Sequence, residues 1–435
     1  MRYTLARAFI LIIFSGFSRE TLQPINREGV KYFGIEWDSV SALNLKTVDD
    51  KPRLMISTET DVAYDLDMTD YIVYSGHSIP LIEITTEQPM EQIPDKINYQ
   101  DASISIKGFG EYDDFKQNVK IRGRGNSSWK ISDKKPYRLK FDKKESLCRL
   151  KKAKSYVLSA NWSDVSLMQN PIASFLGKMY NVPFTHEMIP VDVVLNGKYR
   201  GSYILTHKPG INAGSVDIDE SSSVMWELDI NYDEDRKFMS PILNLPVMLS
   251  DPDDMDDETF EYWKQDFIEM EKGVSEGRVA DYIDVDEYVR YRMVYFLLRN
   301  NDIGFPKSFK LYKTKGGKYN FGPLWDFDVA MGFDWEDSYM PQTSGAYFWA
   351  NPLMDAIEQD PYVKNLIKSY LLDFLSRKNE LFDYIETYRE NIRTSALRNN
   401  IAWRYENDSR EWDDNIDAMI NWLERRFRYI ASIYN

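Results

Sequence analysis

The chain has 435 residues, 43% hydrophobic and 14% aromatic, enough to bury a large core. Its formal charge of −15 makes the whole a poor match for nucleic acid or an anionic membrane surface. A single cysteine, Cys148, excludes an intramolecular disulfide framework, and three scattered histidines, His77, His186 and His207, have no zinc-ligand spacing and argue against a Ser-His-Asp hydrolase.

In chain order, Met1 to Arg7 form a basic n-region, residues 8–14 an apolar run, and Ser15-Gly16-Phe17-Ser18 a stretch suited to cleavage. The pattern predicts a signal peptide over residues 1–18 and export to the periplasm, the cell surface or the medium. The run is too short for a bilayer span, and no cysteine follows to accept lipid, so no stable membrane span is expected after signal removal. An N-terminal strand or helix of a cytosolic protein is the alternative. Residues 19–75 read as a small β-rich region, with short runs at 32–37, 53–57 and 71–74. The break Ser75-Gly76-His77-Ser78 opens the main domain, residues 76–435.

Residues 116–154 hold fifteen Lys and Arg against only Asp133, Asp142 and Glu145. A local basic segment in an acidic chain suits a polyanionic small molecule such as a nucleotide, or else is a solvated lysine-rich face. Within it, VKIRGRGNSSWKISDKKPYRLKF (119–141) reads as two strands joined by a polar loop. Its glycines allow backbone amides to approach an anion, with Arg122, Arg124, Lys134, Lys135, Arg138 and Lys140 as countercharge. A helix is predicted from near Val165, where Asp164 is either its N-cap or a cation ligand. Asn196-Gly197 marks a hairpin turn, and Glu227 and Asp229 alternate with Leu228 and Ile230 as the exposed face of a strand. Strands dominate to about Leu249, and Asp251-Pro252-Asp253-Asp254 opens a helical half by capping residue 258 onward.

A helical pattern over residues 288–299 runs into Asn300-Asn301-Asp302 and a Gly304/Pro306 break. A strand over 308–312 and the turn Lys315-Gly316-Gly317-Lys318 follow, then a return strand into Trp325-Asp326-Phe327-Asp328. A hairpin returns its ends to each other, which predicts that Asp302 and Asp326 meet. Strand alternation places Asp326 and Asp328 on one side. Phosphoryl transfer uses such a set: one carboxylate orients the attacking hydroxyl and accepts its proton, and another holds Mg²⁺ against the phosphates. Amphipathic helices are expected from Pro352 to the end, the last over 416–433.

The strings RGRGNSSW, KKPYRLKF, YVLSANWSDVSLMQN, VDVVLNGKYRGSYILT, MWELDINYDE and GPLWDFDVAMG, in that order, resemble the motifs of the CotH kinase (spore coat protein H) family from about residue 79 to the end. The resemblance implies an α+β fold with a divergent protein-kinase-like core, strand-rich in its N-terminal half and helical in its C-terminal half. It implies an atypical kinase that uses ATP and Mg²⁺ (or Mn²⁺) on Ser/Thr hydroxyls of protein substrates. By motif, Asp302 resembles the catalytic aspartate and Asp326 the metal-binding one, with Asp328 as a second candidate. Arg122, Arg124, Asn126 and Lys140 resemble phosphate-side residues, and Asp164 an acidic position that holds a cation or caps a helix. Three positions depart from the pattern. Lys307-Ser308 stands where relatives carry an Asn, leaving Ser308 as a weaker second metal ligand; His207 replaces a Glu, and Ser250 a Lys. The alternative implied by these changes is a catalytically inactive kinase-like protein, a binding module of the envelope or of polysaccharide.

Overall fold

The computed structural model describes side chains over residues 79–88, 90–108, 115–304, 306–332, 351–403 and 411–434, and before them the backbone of six strands. The expected signal peptide, residues 1–18, and the break at residues 76–78 lie outside the described residues. The early strands are β1 (Thr21–Ile25), β2 (Ile35–Glu36), β3 (Ala42–Val48), β4 (Lys51–Ser57), β5 (Val62–Asp65) and β6 (Tyr71–Ser75). They form two three-stranded antiparallel sheets, β2-β1-β6 and β3-β4-β5.

Next come β7 (Leu81–Thr86), β8 (Gln100–Lys107), β9 (Lys116–Gly123), α1 (Ser127–Ile131), β10 (Tyr137–Glu145), β11 (Ala153–Ser159), α2 (Gln169–Met179), β12 (Ile189–Leu195) and β13 (Lys198–His207). The seven strands close into a barrel in the order β10-β11-β13-β12-β7-β8-β9. Period-two burial explains the closure: Ala102, Ile104 and Ile106 of β8, Val119 and Ile121 of β9, and Tyr137, Leu139 and Phe141 of β10 are buried. Asn196 and Gly197, between β12 and β13, have φ of +51° and +79°, the pair of positive angles that a two-residue hairpin turn needs. Tyr137 of β10 lies opposite Gly123 of β9, as the two-strand reading requires. Their polar connection carries the short helix α1, whose Trp129 packs so closely over Gly123 that a Cβ there would overlap its ring.

The rest of the chain forms β14 (Ser223–Leu228), β15 (Lys237–Met239), β16 (Pro246–Asp251), α3 (Asp257–Ser275), α4 (Val279–Tyr282), α5 (Val285–Leu298), β17 (Phe309–Thr314), β18 (Asn320–Phe321), α6 (Pro352–Ile357), α7 (Pro361–Ala402) and α8 (Trp412–Tyr434). The architecture is therefore mixed α+β, strand-rich in its N-terminal half and helical toward the C-terminus. No helix among the described residues is long and apolar enough to cross a membrane.

Residue contacts divide the chain into two units. One comprises Met1–Phe141, Pro190–Ile204 and Arg389–Asn407, the other Asp142–Ile189, Leu205–Tyr388 and Asp408–Asn435. In the first, buried Asp192 accepts hydrogen bonds from Tyr199 Oη (2.9 Å), Ser395 Oγ (2.5 Å) and Arg398 Nη1 (3.1 Å). The second is built on α5, whose length from Tyr291 onward is wholly buried while Asp286 and Arg290 in its first turns pair at the surface. Tyr288, Tyr291, Tyr295 and Phe296 are all buried, and the Tyr291 ring packs on Phe309 and Phe321 of the five-stranded sheet β15-β16-β14-β17-β18.

Two helix starts differ from the sequence reading. Helix α3 is capped by Asp256, whose carboxylate accepts from Thr259 N at 2.7 Å, a few residues beyond the Asp251–Asp254 cluster. Helix α2 starts at Gln169 rather than near Val165. Buried Asp164 takes up the amides of Ser166, Leu167 and Gln169 (2.9, 3.0 and 2.9 Å), which holds residues 165–168 in a turn. Asp164 thus organises the turn that leads into α2, whose N-cap is Met168, and burial raises its pKa against the opposing effect of these donors.

Candidate active site

Helix α5 stops at Arg299, whose left-handed backbone (φ +49°) turns the chain so that Asn300 N bonds back to Tyr295 O at 3.2 Å. Asn300 is fully buried and uses both ends of its carboxamide. Its Oδ1 accepts from Asp302 N at 2.9 Å, and its Nδ2 donates to the carbonyl of Asp326 at 2.9 Å. Backbone bonds from Asn301 N to Val329 O (3.2 Å) and from Met331 N to Leu298 O (2.8 Å) continue the lacing between the end of α5 and the acidic loop. The hairpin between them forms as its turn residues predict, with Leu311 opposite Phe321 and Tyr312 opposite Asn320. Asp302 and Asp326 thus come within electrostatic reach of each other.

The strand alternation expected for Asp326 and Asp328 does not form. Residues 325–328 lie outside any strand, and Asp326 has a left-handed backbone with φ +60°, a region that Asp and Asn tolerate better than most residues. Each carboxylate is held separately. Ser308 Oγ donates to Asp326 Oδ2 at 2.9 Å, and Asn170 Nδ2 donates to Asp328 Oδ1.

Glu227 and Asp229, on and just after β14, do not form the exposed strand face that their alternation predicts. Asp229 is buried, accepting from Asn231 N (2.8 Å) and Ser308 N (3.0 Å). Glu227 pairs with buried Lys310 directly across from it on β17, and Lys310 also donates to Ser250 Oγ at 3.2 Å. Period-two alternation is the same whether a face meets water or another element, so the sequence signal was ambiguous. The Ser250 departure therefore sits against this ion pair, while the ring of His207 lies against Tyr156 with its Nε2 2.7 Å from Lys151 O.

The charges concentrate at Asp302. Burial, and next the like charge of Asp326, hold its carboxyl well above the usual carboxylate range; Asp229 and Asp328 add to this and Lys307 opposes it. The Lys307 ammonium stands 3.9 Å from Asp302 Oδ2. Burial likewise raises Asp229, opposed by the amides of Asn231 and Ser308.

The phosphate-side candidates belong to the other unit. The Arg122 guanidinium lies 4.8 Å from the centre of the Tyr99 ring and the Lys140 ammonium 5.8 Å from the same ring, while Asn126 Oδ1 accepts from Lys96 Nζ at 3.1 Å. Arg124 N donates to Pro136 O (3.2 Å) and Gly123 N to Asp95 O (2.8 Å), so these two loop amides are engaged within the chain. Lys134, counted from the sequence as countercharge, is buried and donates to Ser202 O at 2.6 Å beneath the Tyr203 ring; its role is structural.

With this geometry in hand, the comparisons decide the family. The model of the CotH kinase protein family matches residues 121–430. The chain belongs to the CotH kinase family. The match spans both the basic hairpin and the acidic loop, and a kinase-like function follows from it at the level of the family. The comparison with curated proteins returned no match.

A CotH kinase is expected to use a divalent cation, and the donor set can be tested for it. Among the described residues no three His, Cys, Asp or Glu side chains converge as a ready cage. Mg²⁺ in phosphoryl-transfer sites is held by one or two carboxylates together with phosphates and water, so a cage is not required. The all-oxygen donors of Asp326, Asp328 and Ser308, beside a buried Asp302 whose charge its neighbours destabilise, fit such an ion.

Proposed function

We propose that this CotH kinase family member transfers the terminal phosphoryl group of ATP to Ser or Thr hydroxyls of exported or surface proteins, on a divergent protein-kinase-like core. The observation that carries the reading is Asn300, which ties the amide of Asp302 to the carbonyl of Asp326 and so fixes a buried carboxylate beside the acidic loop. Asp302 accepts the hydrogen bond of the acceptor hydroxyl, orients its oxygen toward the γ-phosphorus and takes its proton as the new P–O bond forms and ADP departs. Its raised proton affinity makes it a stronger base than an exposed aspartate. Asp326 and Asp328 would hold Mg²⁺ or Mn²⁺, which neutralises phosphate charge when bound. Ser308 fixes the orientation of Asp326. Within their own unit, Arg122, Arg124, Asn126 and Lys140 are proposed as a phosphate-binding set; the two cations gathered on Tyr99 support this.

One observation favours the inactive alternative: the Ser308 hydroxyl, in the place of the family Asn, is already engaged by Asp326. Transfer of radiolabelled phosphate from ATP, to the chain itself and to candidate surface proteins across Mg²⁺ and Mn²⁺ concentrations, separates the two. Label incorporation that Asp302→Asn abolishes supports the kinase; nucleotide binding without any transfer supports the binding module.

A further inference from the structure

Helix α2 opens with two carboxamides that the core would not hold without partners. Gln169 and Asn170 are 0% and 6% exposed, at positions where a core-facing helix ordinarily carries aliphatic side chains. Both face the acidic loop. Gln169 Oε1 accepts from Ala330 N at 2.9 Å, Asn170 Oδ1 accepts from Phe327 N at 3.0 Å, and Asn170 Nδ2 donates to Asp328 Oδ1. The contacts differ in kind. Gln169 meets only backbone, whereas Asn170 holds Asp328 twice, through the amide of the preceding residue and through the carboxylate itself. An N–H on a carboxylate oxygen fixes the side-chain torsion and favours the ionised form.

We propose that Asn170 is a positioning residue for the cation site: it locks the Asp328 carboxylate in the orientation in which that residue serves as a ligand. Ser308 does the same for Asp326, so the two aspartates are set by neutral donors from different elements, α2 and the segment before β17. The inference rests on the phosphotransferase reading. Partners that orient metal ligands typically change metal affinity by about 10- to 100-fold when removed.

The test uses the full chain, with Mn²⁺ as probe and a non-hydrolysable ATP analogue present, and reads bound Mn²⁺ by electron paramagnetic resonance. Asn170→Ala is expected to weaken Mn²⁺ binding by about 10- to 100-fold. Gln169→Ala, which loosens the same loop without touching a carboxylate, should leave it within about twofold even where its melting temperature falls as much. In an Asp328→Ala background, Asn170→Ala should have no further effect. Should Asn170→Ala not fold, Asn170→Asp keeps the size and the acceptor for Phe327 N, and should weaken Mn²⁺ binding by setting a like charge against Asp328. Equal losses in Asn170→Ala and Gln169→Ala would reduce Asn170 to a loop anchor. Wild-type affinity in Asn170→Ala, with binding lost in Asp326→Ala, would overturn the Asn170 assignment alone. A wild type that binds no Mn²⁺ would remove both this inference and the reading beneath it.

Discussion

Asp326→Asn should make the protein more stable alone and less stable with its ligand. The substitution is nearly isosteric, keeps an oxygen for Ser308 Oγ and suits the left-handed backbone at φ +60°, so it removes a charge and little else. Asp302, buried and pushed up in proton affinity first by burial and then by Asp326, is relieved. Like charges within the roughly 4–6 Å over which neighbours shift a pKa repel by about 3–4 kcal/mol at an effective dielectric near 20; with solvent reaching Asp326, a gain of about 1–3 kcal/mol in unfolding free energy at pH 8 is expected. The sign follows from linkage. A carboxyl whose folded pKa lies above its ordinary 3.8 costs nothing below that pH and destabilises the fold progressively as pH rises above it. The gain should therefore vanish near pH 4. In the presence of Mg-ATP the order reverses, because a ligand at about 1,000 times its dissociation constant adds about 4.1 kcal/mol to the wild type and almost none to the variant. Urea unfolding of both proteins at pH 4 and pH 8, with and without Mg-ATP, measures all four quantities. A variant that is less stable than wild type at pH 8, or that gains as much from Mg-ATP, would refute the placement of Asp326 beside Asp302 as a cation ligand.

Asp302→Asn should keep its shape and most Mg-ATP binding yet lower phosphoryl transfer by about 10²–10⁴, because an amide cannot take the proton; calorimetry and a label-transfer assay on the same preparation check this. Lys140→Ala and Arg124→Ala should each weaken nucleotide binding by about 1.5–3 kcal/mol, and unchanged titration isotherms for both would return the basic hairpin to a solvated face. Buried His186, whose Nε2 lies 2.7 Å from Ser215 Oγ, has its pKa lowered from 6.5 to about 3, by burial first and the nearby His207 second. The unfolded chain binds that proton at higher pH, so the stability is whole above about pH 6.5 and falls by about 1.4 kcal/mol per unit below it. His186→Gln should flatten that slope in denaturant midpoints taken between pH 7 and pH 4.5.

What could be read from the sequence was local. The β17–β18 hairpin follows from the Gly316-Gly317 turn between two apolar runs, and α5 from charged and apolar residues mixed at helical spacing behind the Asp284 cap, whose carboxylate accepts from Glu287 N at 3.1 Å. Those two elements alone predict that Asp302 and Asp326 meet, because a hairpin must bring its ends together. The closed barrel could not be read in this way, since the parallel pairing of β12 with β7 joins residues more than a hundred positions apart. Nor could the partners of the acids. Asp229 lies on a face whose alternation suits water and core alike until Ser308 N is seen to bond to it. Asn170 reaches Asp328 across 158 positions, and no period in the chain links them. Lys134 and Lys140 carry the same charge six positions apart. Only the packing decides that Lys134 is enclosed against Ser202 and Tyr203 while Lys140 stays exposed, because burial depends on which distant strand covers a side chain and not on its neighbours in sequence.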